Sequence, residues 1–199
     1  MKTKVVLLVA VMLVLMIGTA AFASNMGFKI NIALSAGGYS NWVALPLYNS
    51  YTDASSVWAD LTNPSQISRW DNASGAYQTY TGSARSTNFT LNKGEGIVIK
   101  VSSAENFIVV GSHDPSFAYS LAAGGYSNWV AVPYHETATD ASGIWGELTN
   151  PSQISRWDNA SGAYQTYTGS ARSTNFTLNK GEAIVIKVSA NESWTPAHY

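Results

Sequence analysis

The sequence predicts an all-β protein with one short helix per unit, arranged as two tandem antiparallel β-sandwich or partly open barrel domains. Three observations indicate this fold. A stretch of 35 residues, 61–95, occurs again without any change at 148–182. Short segments that alternate apolar and polar residues are separated by turns rich in glycine and asparagine, which is typical of antiparallel strands. The two copies are offset by 87 residues, a length that can bury a core of its own.

The repeat extends beyond the identical stretch and defines the domain organisation. Residues 36–46 (AGGYSNWVALP) return at 123–133 (AGGYSNWVAVP) with one substitution. Solenoid repeats of roughly 20–50 residues cannot fold alone, whereas a unit of this size can. We therefore assign residues 24–112 to the first β-domain repeat and residues 113–199 to the second.

Each unit contains a series of strand signals. FKINIAL at 28–34 alternates apolar and polar residues and predicts a strand. NWVALPL at 41–47 predicts a second strand, which ends or lies at a sheet edge at Pro46 because proline lacks a backbone donor. The apolar segment IVIKVS at 97–102 predicts a buried strand, and NFIVVGS at 106–112 closes the unit.

Between these strands the sequence predicts a short helix and a hairpin. TDASSVWADL offers Thr52 or Asp53 as the N-cap of the helix. ISRWD and YQTYT are expected to pair around a turn at 72–75. We expect Asp71 to accept hydrogen bonds from the turn amides and Gly75 to adopt a positive φ.

Residues 1–23 are typical of a secretory signal peptide. Lys2 and Lys4 form a positive head, residues 5–17 are apolar, and AFA at 21–23 has the small residues that signal peptidase recognises. The apolar run is too short for a bilayer, which needs about 20 residues. We therefore expect a secreted protein, extracellular or at the cell surface, with no membrane span after cleavage. An uncleaved N-terminal anchor is the alternative.

The charge balance excludes a nucleic-acid partner. The full chain has 11 basic and 12 acidic residues, and the mature chain loses two lysines. Affinity for a phosphate backbone comes from clustered lysine and arginine, which this composition lacks. The chain has no cysteine, so neither disulfides nor zinc thiolate sites can form. Charged residues make up 12%, about half the usual share, which favours a glycosylated or assembled surface.

Four motifs, SNWVALP, SRWD, YQTY and NKGEGIVI, follow one another in the first copy and recur with few changes in the second. Their order resembles a small β-domain of secreted bacterial and archaeal proteins with the pattern G-W-N-L-I-S-L-P, W-x-Y-D, Y-x-x-Y and P-G-x-G-Y-W-V. The resemblance covers nearly the whole mature chain and implies a non-catalytic surface or extracellular module. Two departures stand out. Ile97 and Val98 stand where the pattern has the aromatic pair Tyr-Trp. In the second copy Ala183 replaces the last glycine of the pattern.

Residues suited to catalysis are scarce. His113, His135 and His198 do not recur at equivalent repeat positions, so the repeat builds neither a histidine metal site nor a serine triad. Glu95 and Asp71 are the carboxylates that could serve glycoside hydrolysis, but roles in turns explain both more simply. We therefore expect no enzyme activity, no catalytic residue and no cofactor.

A calcium site has weak support. DNASG at 71–75 begins with an acidic residue and ends with glycine, but Ala73 stands where a ligand oxygen would be needed. A hairpin turn is the better interpretation. The sequence leaves open a calcium ion held at subunit contacts by Asp53, Asp60 or Asp114.

The aromatic residues allow two interpretations. We favour a core role together with cross-strand pairs such as Trp70 with Tyr77. The alternative is a sugar-stacking surface formed by Trp70, Tyr77, Trp157 and Tyr164.

Five asparagines lie in N-x-[ST] sequons, which makes them candidate glycan attachment sites in a host that glycosylates. They are Asn72, Asn88, Asn159, Asn175 and Asn191.

The two units differ at their ends. The first closes with FIVVGS, whereas the second has WTPAHY, in which Pro196 interrupts the strand. We therefore expect a weak or missing last strand and an open edge at Trp194, Pro196 and Tyr199, which invites pairing with another chain. The strand near the mature N-terminus is the candidate that joins a neighbouring molecule. Its apolar positions are Phe28, Ile30, Ile32 and Leu34.

These observations favour a secreted non-enzymatic structural protein. We expect a homo-oligomer or polymer, with the chain as the subunit of an extracellular filament or surface assembly joined by β-strand addition. A tandem carbohydrate-binding or adhesive module with glycan partners is the alternative. A recent gene duplication with a monomeric product would also explain the identical copies.

Overall fold

The computed structural model describes residues 27–197. The predicted signal peptide, His198 and Tyr199 lie outside these residues. The described chain forms two units of the same architecture, each with six strands and one short helix. The first unit contains β1 (Phe28–Leu34), β2 (Asn41–Ala44), α1 (Ala54–Ala59), β3 (Pro64–Asp71), β4 (Ala76–Tyr80), β5 (Gly96–Val101) and β6 (Glu105–Gly111). The second contains β7 (Tyr119–Leu121), β8 (Asn128–Ala131), α2 (Ala141–Glu147), β9 (Pro151–Asp158), β10 (Ala163–Tyr167), β11 (Ala183–Val188) and β12 (Glu192–Trp194).

The strands of each unit form two antiparallel sheets. In the first unit a four-stranded sheet has the order β2-β5-β3-β4, and β1 pairs with β6. In the second unit the order is β8-β11-β9-β10, and β7 pairs with β12. Neither unit closes into a barrel. The predicted all-β fold with one short helix per unit is confirmed.

The helix and the hairpin turn form as their sequences predict. Asp53 is the N-cap of α1, and its carboxylate accepts a 2.9 Å hydrogen bond from the backbone N–H of Ser56. In the turn, Asp71 Oδ1 accepts a 3.1 Å bond from the N–H of Ala73. Gly75 has a φ of 65°, which only glycine adopts at little cost. Among the described residues no helix has the length and apolar character needed to cross a bilayer.

Each unit has its own hydrophobic core beneath the four-stranded sheet. The core is filled by aliphatic and aromatic side chains from the strands and loops and by alanine, valine and isoleucine from the helices. Burying each large one contributes roughly 1.5–3 kcal/mol. The first core includes Leu34, Val43, Val57, Ile67, Phe89, Ile97, Ile99 and Phe107. The second includes Leu121, Val130, Ile144, Ile154, Phe176, Ile184, Ile186 and Trp194.

The two-stranded sheets differ in length. β1 and β6 pair over seven residues, whereas β7 and β12 pair over three. The second unit therefore has a last strand, but a short one. Pro196 follows it closely, and proline cannot donate to the ladder.

The two units contact each other through equivalent residues, so that contacts occur in pairs. The N–H of Ala44 donates to the carbonyl of Gly181 at 2.8 Å. The N–H of Ala131 donates to the carbonyl of Gly94 at 2.9 Å. Each residue of the first bond lies 87 positions from its counterpart in the second. This reciprocity is that of a two-fold symmetric dimer interface, here built within one chain.

A second pair of reciprocal bonds joins the hairpin turns to the opposite unit. The N–H of Ser40 donates to Oδ1 of Asn159, and the N–H of Ser127 donates to Oδ1 of Asn72, both at 3.1 Å. The polar turn of each unit is therefore part of the contact between units. This contact gives the turn residues, which are identical in both copies, a structural role.

Gly96 and Ala183 meet at the centre of this contact. They are equivalent positions, and a Cβ placed on Gly96 would lie only 2.5 Å from the Cβ of Ala183. Beside them Trp42 and Trp129, also equivalent, approach to 3.9 Å between ring centroids. The pseudo-two-fold axis thus has room for one methyl group but not for two, which explains why the second copy departs from glycine on one side only.

We expect Gly96→Ala to destabilise the protein by about 1–3 kcal/mol, because the added methyl overpacks the contact between the units. Gly96 does not have a positive φ, so backbone strain does not contribute. Urea denaturation of the variant and the wild type measures the difference in the free energy of unfolding.

The matched control is the double variant Gly96→Ala with Ala183→Gly, which moves the methyl to the other side of the axis. It should recover most of the lost stability. A single variant as stable as the wild type would contradict the close packing of Gly96 against Ala183.

Candidate functional site

The outer face of each four-stranded sheet, away from the core of its unit, carries aromatic and polar side chains. Successive residues of a strand point to opposite faces, so in β3 this face presents Gln66, Ser68 and Trp70. The strand register places Thr79 opposite Ser68 and Tyr77 opposite Trp70. Strands β9 and β10 repeat the arrangement in the second unit with the same register.

The aromatic rings on these faces form linked pairs. Trp70 and Tyr77 form the predicted cross-strand pair, with centroids 5.1 Å apart and planes at 80°. Trp157 and Tyr164 form its counterpart at 5.2 Å and 83°. Tyr77 also contacts Trp129 of the other unit, edge to face at 5.6 Å. Tyr77 is 44% exposed and Tyr164 is 50% exposed, so the pairs that stabilise the hairpins also present ring surface to solvent.

Two clefts of about 420 and 340 Å³ lie where the outer faces of the two sheets meet. They are lined by equivalent side chains, with Tyr77 and Tyr164 common to both. The first is lined by Trp70, Tyr77, Ser127, Trp129, Gln153, Ser155, Tyr164, Thr166, Val185 and Lys187. The second is lined by Ser40, Trp42, Gln66, Ser68, Tyr77, Val98, Lys100, Trp157 and Tyr164. We call the two clefts together the groove, which the tyrosine pair divides into halves.

Tyr77, one of the two tyrosines at the middle of the groove, is held as a neutral phenol. Burial, and then a hydrogen bond with Tyr164, raise the pKa of Tyr77 above its ordinary value. A neutral phenol keeps its proton throughout the physiological range, so it can both donate and accept a hydrogen bond.

Polar side chains form the walls of the groove. In the first cleft Gln153 Nε2 donates to Ser155 Oγ at 2.8 Å, and Ser155 Oγ lies 3.0 Å from Thr166 Oγ1. The first unit has the same chain of bonds at the same distances, and its Gln66 and Ser68 line the second cleft. Among residues 27–197 no carboxylate lines either cleft. The groove therefore offers amide, hydroxyl and ammonium groups beside its aromatic rings.

Asn72 and Asn159 hold the tryptophans at the rim. Nε1 of Trp70 donates to Oδ1 of Asn72 at 2.9 Å, and Nε1 of Trp157 donates to Oδ1 of Asn159 at 3.0 Å. Each of these oxygens also accepts the bond from the opposite unit. Two of the predicted glycan attachment sites are therefore positioning groups for the groove.

The other predicted attachment sites also take part in hydrogen bonds of the fold. Asn88 and Asn175 each accept a 3.0 Å bond from the first turn of a helix, at Ser55 and Ser142. Asn191 accepts a 2.7 Å bond from the loop after β7. Attachment of a glycan at these positions stays a prediction.

The predicted assembly strand is β1, which is paired within its own chain. Ile30 and Leu34 are buried, and Ile32 packs against the core of the first unit. Phe28 stacks on Tyr134 of the second unit, with centroids 4.6 Å apart and planes at 17°. Strand β1 therefore connects the two units.

Two of the three residues expected at an open edge, Trp194 and Pro196, lie inside the second unit. Trp194 is 2% exposed, stacks on Tyr119 at 5.1 Å, and donates from Nε1 to Glu147 at 2.9 Å. Pro196 is also buried, and Tyr199 lies outside the described residues. An additional strand could meet only the backbone of this edge, since these two side chains face inward.

The acidic residues considered for calcium have structural partners. Asp53 caps α1, Asp60 accepts a 2.8 Å bond from the hydroxyl of Tyr51, and Asp114 pairs with Lys93. Within residues 27–197 no group of three or more histidine or acidic side chains is placed to hold a metal ion.

The sequence analysis missed a buried carboxyl group, Glu136. The residue is 2% exposed, and its Oε1 accepts a 2.7 Å bond from the N–H of Ala138. Burial, and then repulsion by Glu147, raise the pKa of Glu136 to about 7. Its equivalent in the first unit is Asn49, so this departure from the repeat was the available signal.

We expect Glu136→Gln to make the stability less dependent on pH. A carboxyl group whose pKa is higher in the folded state than in the unfolded state favours folding while it is protonated. That contribution is lost as the pH rises from the ordinary value of 4.5 through about 7. The variant should therefore be more stable than the wild type near pH 8, by about 1–3 kcal/mol, and thermal unfolding across pH 4–8 measures this. An unchanged pH profile would mean that another group titrates.

No family model, curated protein or solved structure matches the chain. The chemistry of the groove is therefore the main observation from which a function can be proposed. That chemistry combines half-exposed aromatic rings with groups that hydrogen-bond neutral or negatively charged ligands.

Proposed function

We propose that this protein is a secreted, non-catalytic binding module whose groove takes glycan chains. The observation that carries the proposal is the pair of clefts, which meet at Tyr77 and Tyr164 and are otherwise lined, except at Thr166, by residues at equivalent positions of the two units. Binding sites in proteins are typically concave and aromatic, with a few convergent polar groups, and each cleft has this composition. The signal-like segment at 1–23 supports a location outside the cell.

Sugars suit the groove because they combine apolar ring faces with hydroxyl groups. The half-exposed rings of Tyr77 and Tyr164 can cover the apolar face of a pyranose, and burying an aromatic surface stabilises such a contact. Gln153, Ser155 and Thr166 offer an amide and two hydroxyls at the same wall. The rings stand at about 80° to their neighbours, which favours a single flexible chain lying in the cleft over a flat crystalline surface.

A binding role agrees better with the lining than catalysis does. Glycoside hydrolysis usually requires two carboxyl groups on either side of the scissile bond, and the lining provides none. Glu95 and Asp71, the carboxylates considered from the sequence, have other partners. Glu95 lies 3.5 Å from Arg69, and Asp71 accepts the bonds of its hairpin turn.

We expect the double variant Tyr77→Ala with Tyr164→Ala to lose at least about tenfold in glycan affinity, because both halves of the groove lose a stacking ring. A glycan array with the wild-type protein identifies the binders, and isothermal titration calorimetry with the strongest of them measures the loss.

The matched control is Tyr39→Ala. Tyr39 is 44% exposed, the same as Tyr77, but it lines neither cleft. The control should bind as the wild type does, and thermal unfolding establishes that both variants remain folded. Equal loss in both variants, or an array on which the wild type binds nothing, would overturn the proposal.

Assembly through β1 is the second candidate function, and the length of the β1–β6 pair favours it. The first half of β1 pairs with residues 108–111 and has no strand counterpart in the second unit. Exchange of a terminal strand between identical chains is a common route to oligomers. In such a polymer β1 of one molecule would replace β1 of the next.

A disulfide between β1 and β6 tests this candidate. Asn31 and Ile108 are directly opposite and exposed, and the chain has no cysteine of its own, so the two introduced thiols are the only ones present. Non-reducing electrophoresis after dilute oxidation selects the monomers in which the bond is intramolecular. We expect the oxidised variant to stay monomeric in negative-stain electron microscopy, while the reduced form assembles like the wild type. Equal assembly of both forms would rule out strand exchange.

A further inference from the structure

Each half of the groove contains one lysine. Lys100 lines the second cleft and Lys187 lines the first. The register of β3 with β5 places Lys100 opposite Gln66, and that of β9 with β11 places Lys187 opposite Gln153. The lysines therefore stand on the same sheet face as the hydroxyl and amide groups of the groove walls.

Neither lysine is neutralised by an acidic side chain. Within the described part of the chain, the ion pairs join Arg69 with Glu95, Arg156 with Glu182, and Lys93 with Asp114. Lys100 and Lys187 take part in none of them, and no carboxylate lines either cleft. The groove is thus a locally positive site.

This local charge contrasts with the rest of the protein. The whole chain has 12 acidic and 11 basic residues, and two of the basic residues, Lys2 and Lys4, belong to the segment at 1–23. A cleft lined by one sign of charge attracts ligands of the opposite sign. The acidic side chains that form ion pairs do so with Arg69, Arg156 and Lys93, and not with these two ammonium groups.

We propose that the groove selects acidic glycans, with Lys100 and Lys187 each bound to a carboxylate of a uronic acid residue. This inference rests on the proposed glycan-binding function. The tyrosine pair would stack the sugar rings between the two charged contacts. Because the halves are equivalent, an oligomer long enough to reach both lysines gains the second contact at a high effective concentration.

Calorimetry with hexagalacturonate and with its fully methyl-esterified form tests the charge selectivity, since the two ligands share one backbone and differ in charge. We expect wild type to bind the acidic hexamer at least about tenfold more tightly, because hydrogen bonds to ionised groups are the stronger ones. The affinity for the acidic hexamer should fall with added salt.

The double variant Lys100→Met with Lys187→Met keeps the length of the side chains and removes both charges. It should bind the acidic hexamer about as weakly as wild type binds the ester, and with little dependence on salt. Lys29→Met is the matched control, because Lys29 is an exposed residue of β1 outside the groove, and it should behave as wild type.

The outcomes separate this inference from the proposed function. Equal binding of both hexamers by wild type, unaffected by the two methionines, would overturn the acid selectivity and leave glycan binding in place. Binding of neither hexamer would overturn the acid selectivity. Glycan binding itself would fall with it if wild type also bound nothing on the array.

Discussion

The close packing of equivalent residues across the pseudo-two-fold axis is the constraint on which the rest of the structure depends. Gly96 faces Ala183 with no space for another methyl group, and Trp42 lies against Trp129 at 3.9 Å. Protein interiors are packed so densely that adding or removing one methyl group changes the stability. Because the backbones come this close, the outer faces of the two sheets face each other, and the groove exists along their junction.

This packing also gives the identical repeat a physical use. A shared core would require only apolar positions to match, yet the repeated stretch is identical in its polar turns. In the structure several of those turn residues contact the other unit. Asn72 binds the backbone of Ser127, and Gly94 accepts the bond from Ala131. A two-fold interface uses one surface twice, so a change in a turn would alter two contacts in a symmetric pair.

The few charged residues of the chain are distributed unevenly, and their positions determine the charge of the groove. Burial raises the pKa of Glu95, but backbone and side-chain bonds from Asn92 and the charge of Arg69 oppose the shift. Glu182 has the same environment in the second unit. Carboxylates therefore stabilise the loops before β5 and β11, while Lys100 and Lys187 line the groove. The carboxylates of Glu95 and Glu182 are paired with arginines in the scaffold, whereas the lysines of the groove have no acidic partner among the described residues.

The sequence by itself determined the local structure. Alternation predicted β1, Asp53 capped the predicted helix, and the turn at 72–75 formed with a positive φ at Gly75, because each depends on residues near in the chain. The cross-strand pair of Trp70 with Tyr77 followed from the hairpin register. Only the tertiary structure decided that both rings of this pair would line a groove. That groove joins residues 87 positions apart, and no local pattern encodes which sheet faces meet. Likewise, the sequence alone does not explain the methyl group of Ala183. The structure explains it, because Ala183 packs against Gly96.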